Sequence, residues 1–186
     1  MKITAVLGSP RIDSNSTKLA EAALRALEAD KPEIKKFILN DLKIKGCQGC
    51  YSCKGKTETC AYADDIFRVL ASAADCDMLI LSGPIYIGDV ISQLKAFIDR
   101  CFSWLKPNYL NQPQPSRLSS GKKLLFIVTQ GNPDPDCYSG VLKTYQSFFE
   151  RLGFTVNLFV ASGLAPGALE FNDHLLKEVA EMAMSW

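Results

Sequence analysis

The stretch KITAVLGSPRIDSNSTKLAEAALRAL, residues 2–27, decides the fold. Residues 3–7 form a short apolar run closed by Gly8, the pattern of a strand buried on both faces. Residues 16–29 are rich in Ala, Leu and Glu, and Leu19, Ala23, Leu24 and Leu27 fall on one helical face. The turn between strand and helix holds Ser9, Arg11, Ser14, Asn15, Ser16 and Thr17. Where a strand's carboxyl end meets a helix amino end, free N–H groups and the helix dipole favour an anion. Hydroxyls add donors there, and Arg11 adds a planar charged fork. A doubly charged terminal phosphate suits this cradle. Plain helix capping is the alternative, but a cap needs one such residue and this turn offers six. The turn is neither Gly-x-Gly-x-x-Gly nor a Walker A loop, because no Gly-Lys-Ser/Thr follows.

Working outward, strands and helices keep alternating. Residues 34–39 read as a second strand and 78–81 as a third, running into Ser82-Gly83-Pro84. Ile66, Val69, Leu70 and Ala73 repeat at helical spacing, with Asp64 or Asp65 placed to cap. Residues 91–104 form an amphipathic helix, and residues 106–120, with three prolines, a loop. A fourth strand spans 123–128, a helix 141–152 and a fifth strand 154–160, and a helix over 173–184 follows. Five strands alternating with five helices predict a mainly parallel, doubly wound sheet covered on both faces. The order expected for this count is 2-1-3-4-5. No linker or repeat interrupts residues 1–186, so one domain is expected.

Composition narrows the function classes. The net charge of +1 provides no single-sign field for nucleic acid or an anionic membrane. Lys35-Lys36 and Lys122-Lys123 read as solvated strand ends. No apolar stretch approaches the roughly 18 residues that span a bilayer, and residues 3–7 are too short for a signal peptide's apolar region. A cytoplasmic protein is expected. His174, the only histidine, reads as a surface residue, which argues against a Ser-His-Asp hydrolase.

Two further loops follow strand ends, where ligands bind in open α/β sheets. In Gly83-Pro84-Ile85-Tyr86-Ile87-Gly88, proline fixes a turn, glycine admits a flat ligand to the backbone, and Tyr86 offers an aromatic plate. The alternative is a tight turn with Tyr86 in the core. Thr129-Gln130-Gly131-Asn132 is the third such loop. Asp99 and Arg100, at the end of the 91–104 helix, read as structural. Trp104 and Tyr109, beside the proline-rich loop, are placed to cover a ligand or a partner surface.

Of the seven cysteines, Cys76, Cys101 and Cys137 are scattered and read as packing residues. The other four form Cys47-x-x-Cys50-x-x-Cys53, with Cys60 after six more residues. So compact a run suits an iron–sulfur cube, whose corners accept closely spaced thiolates. Zinc sites usually carry two Cys pairs with a longer spacer. Free thiols or a Cys-x-x-Cys redox pair are the other readings. Gly46, Gly49 and Gly55 give the loop freedom to wrap a cluster.

Gly-Ser-Pro-Arg followed by Ser-Asn-Ser-Thr resembles the FMN phosphate loop of the NAD(P)H-dependent FMN reductase family, which has the flavodoxin-like fold. The resemblance covers residues 1 to about 160. It implies that Ser9, Arg11, Asn15, Ser16 and Thr17 surround the FMN phosphate. It further implies that Pro84, Ile85, Tyr86, Ile87 and Gly88 wrap the isoalloxazine ring, and that the loop of Thr129 and Gly131 contacts ring and dimer partner. The cysteine spacing resembles the iron–sulfur flavoprotein branch, which implies a [4Fe–4S] cluster on Cys47, Cys50, Cys53 and Cys60.

The function expected from this resemblance is an FMN-dependent oxidoreductase whose chemistry sits on the flavin rather than on a side-chain acid or base. The expected donor is NAD(P)H or, through a cluster, ferredoxin. The expected partners are a small-molecule redox substrate or an electron-transfer protein, and the chain is expected to form a homodimer or homotetramer. A flavodoxin-type electron carrier is the rival reading, although such carriers are strongly acidic and this chain is near neutral. A third reading, an interaction protein that keeps the fold without flavin, would ignore FMN in a titration.

Overall fold

The computed structural model describes residues 1–169 and 172–186. Its centre is β1 (Lys2–Leu7), which pairs in parallel with β2 (Glu33–Ile38) on one side and β3 (Met78–Tyr86) on the other. β3 in turn pairs in parallel with β5 (Lys122–Thr129), and β5 with β6 (Phe154–Ala161). A short β4 (Asp89–Val90) folds back antiparallel on the end of β3. The order is β2-β1-β3-β5-β6, which is the expected 2-1-3-4-5 when the parallel strands are numbered along the chain.

Successive strand residues face opposite sides, so each buried strand feeds two cores. Ile3, Ala5, Leu7, Met78, Ile80, Leu125 and Ile127 pack under α1 (Asn15–Leu27) and α5 (Asp173–Met184). Val6, Leu79, Leu81, Leu124, Phe126 and Val128 pack under α2 (Ile66–Asp75), α3 (Ser92–Arg100) and α4 (Ser139–Arg151). β2 is one of the two edge strands; its exposed Lys35 and Lys36 pair with Glu33 and Glu21 and charge that edge against further pairing. Among the described residues no helix is long and apolar enough to cross a membrane.

Several local expectations change. β3 continues beyond residue 81 through Pro84 to Tyr86. Pro84 is tolerated because its carbonyl accepts from Ile91 N at 3.1 Å on the side where β1 has already ended, so the missing N–H removes no ladder bond. Lys122 is buried rather than solvated; its Nζ donates to the carbonyl of Cys76 at 2.5 Å, just beyond the carboxyl end of α2, where a cation is favoured. Trp104 is not an exposed plate beside the proline-rich loop. It is buried, packed edge-on against Phe97 at 6.1 Å and tilted against Phe154. Cys137 is exposed, while Cys76 and Cys101 pack in the core as expected.

The close approach of α3 to the ends of β1 and β3 sets the position of the loops. A Cβ on Gly8 would lie 2.8 Å from Leu94 Cβ and 3.2 Å from the carbonyl of Ser82. Gly8→Ala is therefore expected to destabilise the fold by about 1–3 kcal/mol in chemical denaturation. Gly140→Ala, with nothing within 4 Å of the added carbon, is expected to stabilise by up to about 1 kcal/mol through helix propensity.

Candidate functional site

The first loop begins where β1 ends, with Gly8 N donating to Ser82 O at 2.7 Å. Ser14 is the N-cap of α1: its Oγ accepts from Thr17 N at 3.1 Å and donates to Thr17 Oγ1 at 2.8 Å. Ser9, Ser14, Asn15 and Ser16 are buried, Thr17 is half-buried and Arg11 is exposed. Arg11 N donates to Ser9 Oγ at 3.2 Å, which folds the loop on itself. Asn15 Nδ2 reaches Ala165 O at 2.9 Å, tying this loop to the one after β6. Asn15 Oδ1, Ser82 Oγ and Gln130 Oε1 are buried without a hydrogen-bond partner. Asn15 opens α1, Ser82 lies within β3 opposite Leu7, the last residue of β1, and Gln130 follows β5, so the orphaned polar atoms gather toward the sheet's carboxyl edge.

The second loop is a hairpin tip. Tyr86 pairs with Asp89, leaving Ile87 and Gly88 as the turn residues with φ of 50° and 79°, as a type I′ turn requires. Pro84 and Ile85 are buried. Tyr86 is 45% exposed, which overturns the alternative that it sits in the core. Ile87 is fully exposed, a β-branched residue held in the left-handed region. Asp89 anchors the hairpin: its Oδ1 accepts from Val90 N at 2.7 Å and from Tyr145 OH at 2.5 Å. Burial and that carboxylate together push the Tyr145 hydroxyl well above the ordinary tyrosine range. In the third loop Thr129 and Gln130 are buried and Gly131 is exposed; Gln130 Nε2 donates to Asp134 O at 2.6 Å.

The four motif cysteines line one cavity of about 170 Å³, together with Arg100 and Phe102. Cys47 and Cys50 are exposed, Cys53 and Cys60 half-buried, and all four are free thiols. Among the described residues no three Cys, His, Asp or Glu side chains close into a metal-ligand set. Three cations tie this loop to the body. Lys54 Nζ donates to Phe102 O and Leu105 O at 2.5 and 2.7 Å and lies 3.9 Å from the Phe102 ring centre. Desolvation there draws the Lys54 ammonium below its ordinary pKa. Arg117 Nη2 donates to Cys53 O at 3.1 Å. Arg100, fully buried, donates to Asp64 Oδ1, Tyr62 O and Cys60 Sγ. Burial lowers its pKa, but the hydrogen bonds to Asp64 and Cys60 outweigh that, and the net shift is upward.

A groove of about 570 Å³ between α3 and α4 joins the two regions, with Cys47 at one side and Asp89, beside the hairpin tip, at the other. The sequence reading of Arg100 as structural holds, but it missed the attachment to the cysteine loop. The helical spacing carried a signal for burial alone: Arg100 stands three residues after Phe97, on the buried stripe of the helix. Asp64 does serve α2, accepting from Ile66 N at 3.1 Å. His174 is exposed, 3.7 Å from Glu178.

Two measurements follow from this geometry. The amide and hydroxyl of Ser52 hydrogen-bond Cys50 and lower its thiol pKa, so more of it is thiolate at neutral pH. Iodoacetamide is expected to alkylate Cys50 of the cluster-free protein ahead of exposed Cys47 and Cys137. Cys76 and Cys101, whose thiols burial pushes up, are expected to react only on unfolding, as read by peptide mass spectrometry. Ile87→Asn relieves the left-handed strain, and the ligand-free protein is expected to gain about 1 kcal/mol in a denaturation series.

The model of the NADPH-dependent FMN reductase family matches residues 1–134. An iron–sulfur flavoprotein of Archaeoglobus fulgidus is 39% identical over 182 residues, covering 98% of this chain and 77% of that protein. An iron–sulfur flavoprotein of Methanocaldococcus jannaschii is 36% identical over 100 residues, 54% of this chain and 51% of that protein. An FMN-dependent NADH-azoreductase of Bacillus anthracis, solved in complex with FMN, shares the fold with a TM-score of 0.75 at 19% identity, over 98% of each chain. With the parallel sheet, the polar first loop and the exposed Tyr86 hairpin already in place, the match over residues 1–134 means that this chain belongs to the NADPH-dependent FMN reductase family of flavin-dependent oxidoreductases.

Proposed function

We propose that the protein binds FMN at the carboxyl edge of the sheet, takes electrons from NAD(P)H or ferredoxin, and carries a [4Fe–4S] cluster on Cys47, Cys50, Cys53 and Cys60. The observation that carries the flavin reading is the set of buried, unpartnered atoms at that edge: Asn15 Oδ1, Ser82 Oγ and Gln130 Oε1. Two of these are acceptors and one is a hydroxyl, a set suited to a polyhydroxylated chain that brings donors. The amides at the start of α1, Ser9, Ser16, Thr17 and the Arg11 guanidinium suit its phosphate. Tyr86 and the backbone of residues 84–88 suit the flat ring, with Thr129 and Gly131 beside it. Bound FMN supplies a ring that accepts a hydride or single electrons, and an iron–sulfur cluster passes electrons singly.

Four thiols on one cavity wall, with Arg100 Nε donating to Cys60 Sγ at 3.3 Å, fit a thiolate-ligated cluster. The name carried by the Archaeoglobus fulgidus and Methanocaldococcus jannaschii relatives supports the same reading. The electron acceptor is read as a small molecule or an electron-transfer protein, and the address as cytoplasmic. The apolar side chains Val141 and Phe148, half-buried along the α3–α4 groove, support a homodimer or homotetramer, which sedimentation would resolve.

Anaerobic purification and an absorption spectrum, followed by titration with FMN and with riboflavin, test the proposal. Wild type is expected to quench FMN fluorescence at a stoichiometric endpoint. Arg11→Ala is expected to weaken FMN about tenfold or more, the scale of one charge-assisted hydrogen bond, while leaving riboflavin affinity unchanged. A protein that stays colourless and quenches neither flavin would rule the reading out.

A further inference from the structure

Arg100 is the largest fully buried side chain in the molecule among the described residues, and it is charged. Its side chain has no exposed surface, yet it sits at the end of α3 against a loop that is mostly exposed. Its acceptors fall on both stems of the cysteine loop. Lys45 O, two residues before Cys47, lies 3.4 Å from Nη1. On the far stem Nη2 donates to Tyr62 O at 2.6 Å and Nη1 to Asp64 Oδ1 at 2.5 Å. Asp64 closes the ring by accepting from Lys45 N at 2.9 Å through its other oxygen. One guanidinium and one carboxylate thus fasten residues 45 and 64 to each other and to α3.

That staple accounts for the Nη groups but not for Nε. An arginine serving only as a staple would aim its remaining N–H at an oxygen. Here Nε–H points at Cys60 Sγ, 3.3 Å away. A thiol sulfur is a weak acceptor, and the contact gains strength only when the sulfur carries negative charge. The other charges facing Arg100 sharpen this. Asp64 neutralises most of its net charge, and Asp99 lines the same cavity, while Lys45 lies 5.6 Å from the centre of the Tyr62 ring. What reaches Cys60 is therefore a short-range, directed N–H dipole.

We infer that Arg100 is a positioning residue for the proposed cluster, whose Nε–H···Sγ hydrogen bond orients Cys60 as a ligand and makes the cluster easier to reduce. The inference rests on the cluster reading given above. The physical basis is differential. One-electron reduction adds a negative charge that is shared with the ligating sulfurs, and an N–H donor aimed at one of them stabilises the reduced form more than the oxidised form. The effect survives because the donor is buried and cannot be replaced by water.

The test compares anaerobically reconstituted wild type with Arg100→Lys and Arg100→Met. Iron and acid-labile sulfide per chain report retention, and a dithionite titration followed by the cluster's own EPR signal reports the potential. In Arg100→Lys the ratio of reduced to oxidised cluster at a fixed ambient potential is expected to fall about tenfold, which is 59 mV for a one-electron couple. FMN affinity is expected to stay unchanged. A residue that only fastened the loop would lower retention and leave the potential of the retained clusters where it was, and that result overturns the inference while leaving the cluster reading intact. If neither variant folds, wild type grown on [15N]arginine decides: pulsed EPR of the reduced cluster is expected to show coupling to the arginine nitrogen, and its absence overturns the inference. Wild type that binds FMN but takes up no iron removes the cluster reading and the inference with it.

Discussion

The contact on which the rest depends is the one between Gly8 and Ser82. The amide of Gly8 donates to Ser82 O at 2.7 Å, and the bare α-carbon of Gly8 lets Leu94 of α3 close down on both strand ends. A parallel sheet sends every strand out at the same edge, so its loops are neighbours by topology. Topology alone would still leave them loosely disposed. The hydrogen bond and the glycine contact fix the first loop against the second to within the tolerance of close packing. The buried polar atoms of Asn15, Ser82 and Gln130 are stable at that edge only because the packing holds them there. Their lack of partners is a local energetic cost that the surrounding packing sustains.

The hairpin of residues 86–89 shows the same trade in the backbone. An asparagine or glycine at position 87 would enter the left-handed region with little strain, yet the chain carries isoleucine there, fully exposed. The left-handed backbone at Ile87 carries strain, and its fully exposed side chain buries no apolar area to offset it. The Asp89–Tyr145 hydrogen bond holds the turn against α4 and keeps the strained conformation from relaxing.

Much of this was legible in the residues. The apolar runs ending in glycine or proline gave the strands, and their count gave the order, because few topologies accommodate five parallel strands with crossovers of one hand. The first loop stands out in the residues because its polar side chains exceed what capping requires. What stayed hidden depends on long-range partners. Lys122 looks like one half of a solvated lysine pair until the end of α2 presents the Cys76 carbonyl to it. Trp104 borders the proline-rich loop in sequence, and only the fold shows Phe97 and Phe154 packed against it. Arg100 could be recognised as structural from its helix position, but nothing local told that its partners lie on the stems of a loop 36 to 55 positions earlier.

The two candidate sites share one element, α3. Its N-cap Ile91 and first-turn Leu94 pack beside Gly8 and the second loop; its last residue, Arg100, grips the cysteine loop. Nine residues of helix span about 13 Å. A helix buried on the face of Leu94, Phe97 and Ile98 does not bend or slide without breaking the core. The separation between the sheet's carboxyl edge and the cysteine loop is therefore set by a rigid strut and not by the exposed loop that carries the thiols. Within one chain, whatever the loop holds stays at a fixed reach from the sheet edge, and motion of the loop itself is confined to the segment between the stems that Arg100 and Asp64 fasten.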